Sequence, residues 1–322
     1  MKATQQTTYR MLNTRLGDMS LQLEKLRSMG ASGKKLTVAS DDPTAVRPVL
    51  NTRKQLSNVD RYLETLGRAA DTMGAADTQL GQVENIMQRA QEIMTGAGNP
   101  TLSDADRATL ADELAQLRDQ LLDTANASVA GRFLFAGYQD TAAPFVANPA
   151  YDPAAYDPAD QATWPVSYRG DGNVTRLEIA TGQTEQVSLA GSDLFLGVRG
   201  WDPAGTNSVD PGRHDLFAAL ARAEQAVRAG DPAAMQQSLT DLAAAADQNR
   251  QLRAQLGVRA SRVESAMDDQ EGLKIDLKAI LSRYEDADAI EVFNDILQQE
   301  SAFQAALSVT GRVSQLSILD YL

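Results

Sequence analysis

The chain has 322 residues, of which 43% are hydrophobic, 5% aromatic and 23% charged, with no cysteine and a single histidine, His214. The missing cysteine excludes disulfides, thiolate nucleophiles and cysteine-bound metal or iron–sulfur centres, and one histidine leaves no room for a histidine-rich metal site. The net charge of −13 repels a phosphate backbone, so nucleic acid is a poor candidate partner. We recognise neither a cleavable secretory signal nor a run of about 20 apolar residues, and therefore expect no insertion into a membrane.

The chain opens on an apolar seam that predicts a first helix. Its members are spaced by threes and fours, which places them on one coiled-coil face. They are Tyr9, Leu12, Leu16, Met19, Leu23 and Leu26. Gly30 and Gly33 follow and are expected to end this helix.

Two further helices are predicted before residue 130. A longer seam runs from Val59 to Met94 with the same alternating spacing, and it ends where Gly96, Gly98 and Pro100 follow closely. The next seam begins after Ser103, which is a good helix N-cap. It consists of Leu110, Leu114, Leu117 and Leu121. This third helix is expected to pack antiparallel against the second.

The segment from Thr141 to Gly212 has a different composition, because it contains seven of the eleven prolines and both tryptophans. Alternating runs at Val174–Ala180 and Thr184–Leu189, on either side of Gly182, predict a β-hairpin. The stretch 144–158 is expected to be an irregular loop. The segment as a whole is predicted to be a small β-rich insert with long loops.

The aromatic side chains of this insert allow two interpretations. Trp164, Tyr168 and Trp201 are expected to fill the core of the small β-domain. The alternative is that they form an exposed platform that binds sugars.

Helical periodicity then returns. Asp231 and Pro232 form an N-cap and first-turn pair that predicts the start of a long helix. Its predicted seam is Leu252, Leu256, Val263, Ala266, Leu273, Leu277, Ile280 and Tyr284. A last helical stretch, 290–322, carries Phe293, Ile296, Phe303, Leu307, Val313, Leu316 and Leu319.

These patterns predict a mainly α fold. It is a long coiled-coil helical bundle built from the N-terminal and C-terminal segments, with a small β-rich inserted domain. We expect residues 1–45 and 286–322 to form a terminal coiled-coil assembly domain. Residues 46–140 and 213–285 would form a helical bundle domain, and residues 141–212 a β-rich outer insert.

The two ends of the chain carry opposite charge. Residues 1–35 hold seven basic and two acidic side chains, whereas residues 280–322 hold two basic and seven acidic ones. Opposite charge beside two apolar seams favours pairing of the ends. The alternative is that each helix merely has a solvated charged face. The predicted assembly interface consists of Leu12, Leu16, Met19, Leu23, Leu26, Phe293, Ile296, Phe303, Leu307, Val313, Leu316 and Leu319.

Six seam residues bury too little apolar surface to offset the entropy of ordering the whole first helix. Pairing with the last helix helps, but a two-helix rod still exposes the outer half of each apolar stripe. We therefore expect both termini to fold completely only when further copies of the chain cover them.

Several strings resemble the bacterial flagellin superfamily. SGKKLTVASDDPTAV, at 32–46, is similar to the loop after the first flagellin helix, with Asp41, Asp42 and Pro43 at its centre. GRFLFAGYQDTAAPF, at 131–145, resembles the hook–filament junction members of the family. LGVRASRVESAMDD and the ending LSILDYL resemble the long and terminal C-terminal helices of flagellins. The resemblance covers roughly residues 1–145 and 214–322.

The resemblance implies a structural protein of the bacterial flagellum that is secreted by flagellar type III export. It implies a position at the junction between the hook and the filament, and assembly through the N- and C-terminal helices. The implied partners are copies of the chain itself, hook-associated protein 1, flagellin and a cytoplasmic flagellar export chaperone.

No enzyme is expected, since no nucleophile–base pair, histidine-based acid–base site or cofactor fingerprint is found. We predict no catalytic residue, no cofactor and no metal site. Asp41 and Asp42 are expected to form a turn and to cap the helix ahead of Thr44. Two alternative functions are a filament flagellin and a secreted protein that binds or cleaves glycans.

Overall fold

The computed structural model describes residues 2–180 and 182–319, with side chains described at position 7 and from 10 to 312 apart from position 181. Seven α-helices form in this part of the chain: α1 (Lys2–Ser32), α2 (Pro43–Ala97), α3 (Asp104–Ala125), α4 (Gly191–Phe195), α5 (Leu216–Ala229), α6 (Pro232–Glu285) and α7 (Ala289–Leu319). Two short 3-10 helices, Pro153–Ala155 and Gln161–Thr163, lie in the insert. The predicted fold class, a mainly helical chain with a small β-rich insert, is confirmed. None of the described helices has the length and apolarity needed to cross a membrane.

Six short strands form three separate antiparallel pairs, β1 with β2, β3 with β4, and β5 with β6. The strands are β1 (Ser128–Val129), β2 (Arg132–Phe133), β3 (Phe145–Ala147), β4 (Val166–Tyr168), β5 (Arg176–Ala180) and β6 (Gln183–Gln186). The β5–β6 pair is the hairpin that the alternating runs predict. In contrast, β3 lies inside the stretch predicted to be an irregular loop, because Phe145 pairs with Tyr168 and both rings are buried.

Several helix ends follow from local side-chain chemistry. Ser103 accepts from the backbone N–H of Asp106, whose carboxylate accepts from the N–H of Ser103, so a reciprocal capping box starts α3. The Asp231 carboxylate accepts from the N–H of Ala233 at 2.9 Å and so caps α6. Gly33 has φ of +67°, which a glycine adopts without strain, and it ends α1. Gly30 lies inside α1 instead of ending it.

The chain divides into two compact units. The terminal unit comprises residues up to Arg61 and from Glu271 onward, and it contains all of α1 and α7. The central unit runs from Tyr62 to Gln270 and contains α3, α4, α5 and all six strands. The proposed boundaries of the three sequence-based domains stay predictions.

The central unit has a continuous apolar core. Apolar residues of α2, α3, α5 and α6 share it with the aromatic residues of the insert, and Leu80, Leu114 and Phe195 have no exposed surface. Polar groups on α6 fix its contact with α2, since Asn249 donates to the carbonyl of Leu80 and the Arg253 guanidinium contacts both carboxylate oxygens of Asp77. The apolar faces of the helices in the central unit are therefore buried within a single chain.

The aromatic side chains of the insert belong to this core. Trp164 and Tyr168 are buried, and the Tyr168 ring packs edge-on against Trp201 with their centroids 5.2 Å apart. The Tyr168 hydroxyl donates within hydrogen-bond distance to the carbonyls of Phe135 and Asp171. The core-filling interpretation is confirmed, because a sugar platform needs exposed ring faces.

Candidate assembly interface

α1 and α7 pair antiparallel within the terminal unit. The side chain of Arg27 forms an ion pair with Glu300, and Gly30 lies beside Val292 and Ile296. A Cβ at Gly30 would come within 3.3 Å of Ile296 Cδ1, so the glycine allows the two helices to approach closely at this point. Asp288 starts α7 by accepting from the N–H of Ile290 at 2.9 Å.

The predicted seam of α1 is the covered face of that helix. Leu23 is buried, and the other covered side chains in the described part of α1 are half-buried. These are Leu12, Leu16, Met19, Leu26 and Met29. Met11 and Leu21, which are out of phase with the seam, are exposed. The side chain of Tyr9 lies outside the described residues.

The covered face of α7 within one chain includes only some of the residues of the predicted assembly interface. Its covered side chains are Val292, Ile296, Gln299, Glu300, Phe303, Ala306 and Thr310, and apart from Glu300 they are spaced by fours and threes. Phe293 follows Val292, and Leu307 follows Ala306, so each is turned by about 100° from the seam. They are 61% and 48% exposed. Their place in the predicted assembly interface stays a prediction.

The spacing of fours and threes that runs back from Phe303 leads to Val292. Its larger neighbour Phe293 does not fit this spacing. Phe293 and Leu307 stay candidates for contacts with other chains, since they are apolar and uncovered. The side chains of Val313, Leu316 and Leu319 lie outside the described residues.

The terminal unit leaves many large apolar side chains uncovered. Those exposed in it are Met11, Leu21, Val38, Leu50, Leu273, Ile275, Ile280, Tyr284, Ile290, Phe293, Leu297, Leu307 and Val309. Leu273, Ile280 and Tyr284 belong to the predicted α6 seam and are exposed within one chain. In the described part of the central unit only Val129, Tyr138 and Val258 are exposed to this degree. Exposed apolar patches of this kind mark interaction surfaces.

Asp41 and Asp42 act on the backbone around them. One Asp41 oxygen accepts from the N–H groups of Thr37 and Val38, both at 3.0 Å, and the other lies 2.8 Å from Lys25 Nζ. The ammonium of Lys25 and these backbone bonds lower the pKa of Asp41 far below its usual range. Asp42 accepts from the hydroxyl and N–H of Thr44, which lowers its pKa, and so caps α2 ahead of its first residue, Pro43.

A second set of contacts joins the loop between α1 and α2 to the turn between α6 and α7. The carbonyl of Glu285 accepts from the N–H of Lys35 at 2.7 Å, and the carbonyl of Gly33 accepts from the N–H of Ala287 at 2.9 Å. Lys34 and Asp286 form an antiparallel β-bridge. We call these contacts the clasp. No sequence pattern predicts these contacts, because single main-chain bonds between a loop and a turn have no periodicity.

The buried carboxylate of Glu285 lies at the centre of the clasp. Its side chain is only 2% exposed. Lys34 Nζ lies 3.1 Å from one of its oxygens, and Arg53 Nη2 lies 2.6 Å from the other. The charge is therefore balanced by two cations from different parts of the chain, as a buried charge requires.

Comparisons with known proteins agree with this arrangement. Residues 3–140 match the family described as the bacterial flagellin N-terminal helical region. Residues 239–322 match the family described as the bacterial flagellin C-terminal helical region. The two matches together cover more than two thirds of the chain.

One curated relative aligns along the whole chain. Flagellar hook-associated protein 3 of Salmonella typhimurium is 27% identical over 332 residues, which cover 99% of this chain and 98% of the relative. Among solved structures, a putative flagellar hook-associated protein from Vibrio parahaemolyticus has a TM-score of 0.62 at 18% identity and covers 76% of this chain and 100% of its own. The flagellar junction protein FlgL from Legionella pneumophila has a TM-score of 0.57 at 16% identity, and the alignment covers 74% of this chain and 100% of the FlgL chain. At these identities, the structures establish a shared fold.

Proposed function

This chain belongs to the bacterial flagellin family and is a structural protein of the bacterial flagellum, and we propose that it assembles through its terminal helices at the junction between hook and filament. The junction position is supported by the similarity to hook-associated protein 3, which extends over nearly the full length of both chains. The family matches cover only the two helical ends.

The single observation that carries the assembly mechanism is the uncovered apolar surface of the terminal unit. α1 and α7 bury only Leu23 and Val292 between them in the described side chains, and apolar residues such as Ile290 and Phe293 are left in contact with water. Further copies of the chain would remove this surface from water and supply the missing stabilisation. The termini would then become fully ordered on assembly.

The proposed partners follow from this position. They are copies of the chain itself, hook-associated protein 1 on the hook side and flagellin on the filament side. We also propose that a cytoplasmic export chaperone holds the C-terminal region before type III export. A chain without cysteine suits passage through an export channel in an unfolded state, since no cross-link forms beforehand. The role is structural and involves no catalysis.

A deletion strain tests the function. Cells that lack this chain should retain hooks, lack attached filaments and shed flagellin monomers into the medium, and the wild-type gene should restore swimming. Normal filaments and swimming in the deletion strain would contradict the proposal.

The alternative of a filament flagellin is tested by position. Ala159 is exposed in the insert, and the chain has no cysteine, so Ala159→Cys provides a single attachment point for a gold or biotin label. We expect the label at the proximal end of each filament only. Labelling along the whole filament would identify a filament flagellin instead.

A further inference from the structure

The apolar seam between α1 and α7 does not by itself define which residues face each other. Moving α1 by seven residues along α7 in one direction places Leu23 where Leu16 was and Leu26 where Met19 was, so apolar side chains still meet apolar side chains. The opposite shift is disfavoured, because it places Leu23 at the site of Gly30, where a Cβ comes within 3.3 Å of Ile296 Cδ1. The seam of α7 repeats in the same way, since Ile296 and Phe303 are seven residues apart. Coiled coils with such uniform seams need a polar contact to fix the register.

The connections of the terminal unit do not prevent such a shift. α7 is held close to α6 by the three-residue turn 286–288, but α1 is joined to α2 by ten residues, 33–42. A shift of seven residues moves a helix by about 10 Å, whereas ten residues reach about 33 Å when extended. The ion pair between Arg27 and Glu300 opposes the shift only weakly, because Arg27 is 60% exposed.

The clasp is the part of the unit that a shift would destroy. Gly33 directly follows α1, and its carbonyl bonds Ala287 just before α7 begins, so this bond exists in one alignment only. The bond from Lys35 to the carbonyl of Glu285 has the same property. A shifted α1 would also pull Lys34 away from the buried Glu285 carboxylate, which would lose one of its two cations.

We propose that the clasp, with Glu285 as its positioning residue, fixes the register of α1 against α7. One alignment is then selected, and every copy of the chain presents the same composite apolar face to its neighbours. The use of that face in assembly rests on the proposed function, whereas the register itself is a property of the single chain.

Engineered cysteine pairs test the register, because the natural chain has no cysteine. The first pair, Arg27→Cys with Glu300→Cys, reports the alignment of the structure. Two further pairs combine Arg27→Cys with Phe293→Cys or with Leu307→Cys, which lie one heptad to either side of Glu300 on the same side of α7. Disulfide formation in the purified full-length chain is followed by mobility and mass spectrometry. We expect the first pair to form much faster than either shifted pair.

Glu285→Gln then removes the charge while it keeps the shape of the side chain. A charge-assisted hydrogen bond contributes about 1.5 kcal/mol, so we expect the ratio of aligned to shifted disulfides to fall about tenfold. The matched control is Glu271→Gln, an exposed glutamate on the same helix, which should leave the ratio unchanged. A second variant, Lys34→Gln with Arg53→Gln, leaves Glu285 buried without its cations and should lower the ratio as well.

Folding of the central unit is monitored in the same samples, since both tryptophans, Trp164 and Trp201, lie in it. Their fluorescence melting curve should not move in any variant. An unchanged disulfide ratio in both clasp variants would overturn the proposal. Loss of all three disulfides would also overturn it, because the clasp would then hold the helices together without choosing their alignment.

The two proposals fail in different ways. If the chain has no place in the flagellum, the deletion strain swims normally, yet the disulfide ratio of the purified chain still responds to Glu285→Gln. If the clasp does not fix the register, the ratio stays constant while the deletion strain still loses its filaments.

Discussion

In the central unit, α2, α3, α5 and α6 bury their apolar faces against one another, and residues such as Leu80 and Leu114 have no contact with water. In the terminal unit, α1 and α7 also have regular apolar spacing, yet thirteen large apolar side chains are exposed in its described part, against three in the described part of the larger central unit. Regular spacing therefore predicts a helix face that needs a partner. Whether the partner is in the same chain depends on how many helices fold around it.

The strongest test of this comparison is a charge in the uncovered face. Leu307→Asp should abolish incorporation into flagella, because an aspartate in a buried contact between chains is costly to desolvate. The variant should leave the central unit intact, since Leu307 is 48% exposed in the single chain. Incorporation is measured by immunoblot of sheared flagella, and folding by the fluorescence of the two tryptophans.

The matched control is Tyr138→Asp, an exposed apolar side chain of the central unit. It should be incorporated normally. Normal incorporation of Leu307→Asp would contradict assembly through this face of α7. Leu16→Asp should abolish incorporation too, although Leu16 is half-buried and its loss also weakens the pair of α1 and α7.

Much of the fold could be predicted from spacing and local chemistry. The capping box at Ser103, the start of α6 after Asp231 and the β5–β6 hairpin all depend on neighbouring residues. The covered face of α7 is harder to predict, because Phe293 is the larger apolar residue, whereas its smaller neighbour Val292 has the spacing that places it on the same face as Ile296 and Phe303. β3 was missed because its stability comes from a distant partner strand and from burial of Phe145.

The candidate site was predictable only in part. The opposite charge of the two ends predicted their pairing, and Arg27 and Glu300 form an ion pair between them. The net charge of the C-terminal segment does not predict which of its acidic side chains is buried. Glu285 is one of several acidic residues near the C-terminus, and its role depends on Lys34 and Arg53, which lie about 250 and 230 positions away in sequence.

Truncation of matched apolar residues gives the next largest effect. Leu114→Ala should lower the free energy of unfolding of the central unit by about 3 kcal/mol, because it opens a cavity in a fully packed core. Phe293→Ala should change the stability of the purified chain by less than about 0.5 kcal/mol, since its ring is mostly in water. Urea titration followed by tryptophan fluorescence and by circular dichroism measures both. A large loss for Phe293→Ala would mean that one chain already covers this face.

The central unit should respond to pH through Asp215. The carboxylate is buried at the start of α5, where one oxygen accepts from the N–H groups of Phe217 and Ala218. Burial raises its pKa to about 7, against the opposing effects of these bonds and of Arg222. The folded chain therefore keeps the proton to a higher pH than the unfolded chain. Stability conferred by the protonated form is complete below about pH 4 and is lost as the pH rises through about 7.

Asp215→Asn removes this titration and keeps an oxygen that accepts the capping bonds. We expect the variant to be more stable than the wild type at pH 8 by about 2 to 4 kcal/mol, and the difference to shrink towards pH 5. Thermal unfolding of the central unit across this pH range measures it. A constant difference at every pH would show that folding does not shift the pKa of this carboxyl group.

In the terminal unit, the contribution of Asp41 to stability should be lost as the pH falls, whereas that of Asp215 in the central unit is lost as the pH rises. The pKa of Asp41 is lowered by Lys25 and by the N–H groups of Thr37 and Val38, so its contribution is present above the usual pKa near 4 and is lost at lower pH. Asp41→Asn should speed amide exchange in the loop 33–42 at neutral pH. Wild type and variant should converge as the pH falls far below 4. Slow exchange in the variant at neutral pH would contradict a role for the charged form.

The smallest effect is expected for the exposed ion pair between α1 and α7. Arg27 and Glu300 are 60% and 35% exposed at their side chains, so water and salt screen their attraction. Arg27→Gln should change amide protection of α1 by less than about fivefold, which corresponds to about 1 kcal/mol. Raising the salt concentration to about 1 M should have a similarly small effect on the wild type. If either change released α1 completely, charge would hold the terminal helices together, and the contrast between covered and uncovered apolar faces would not explain how the two units differ.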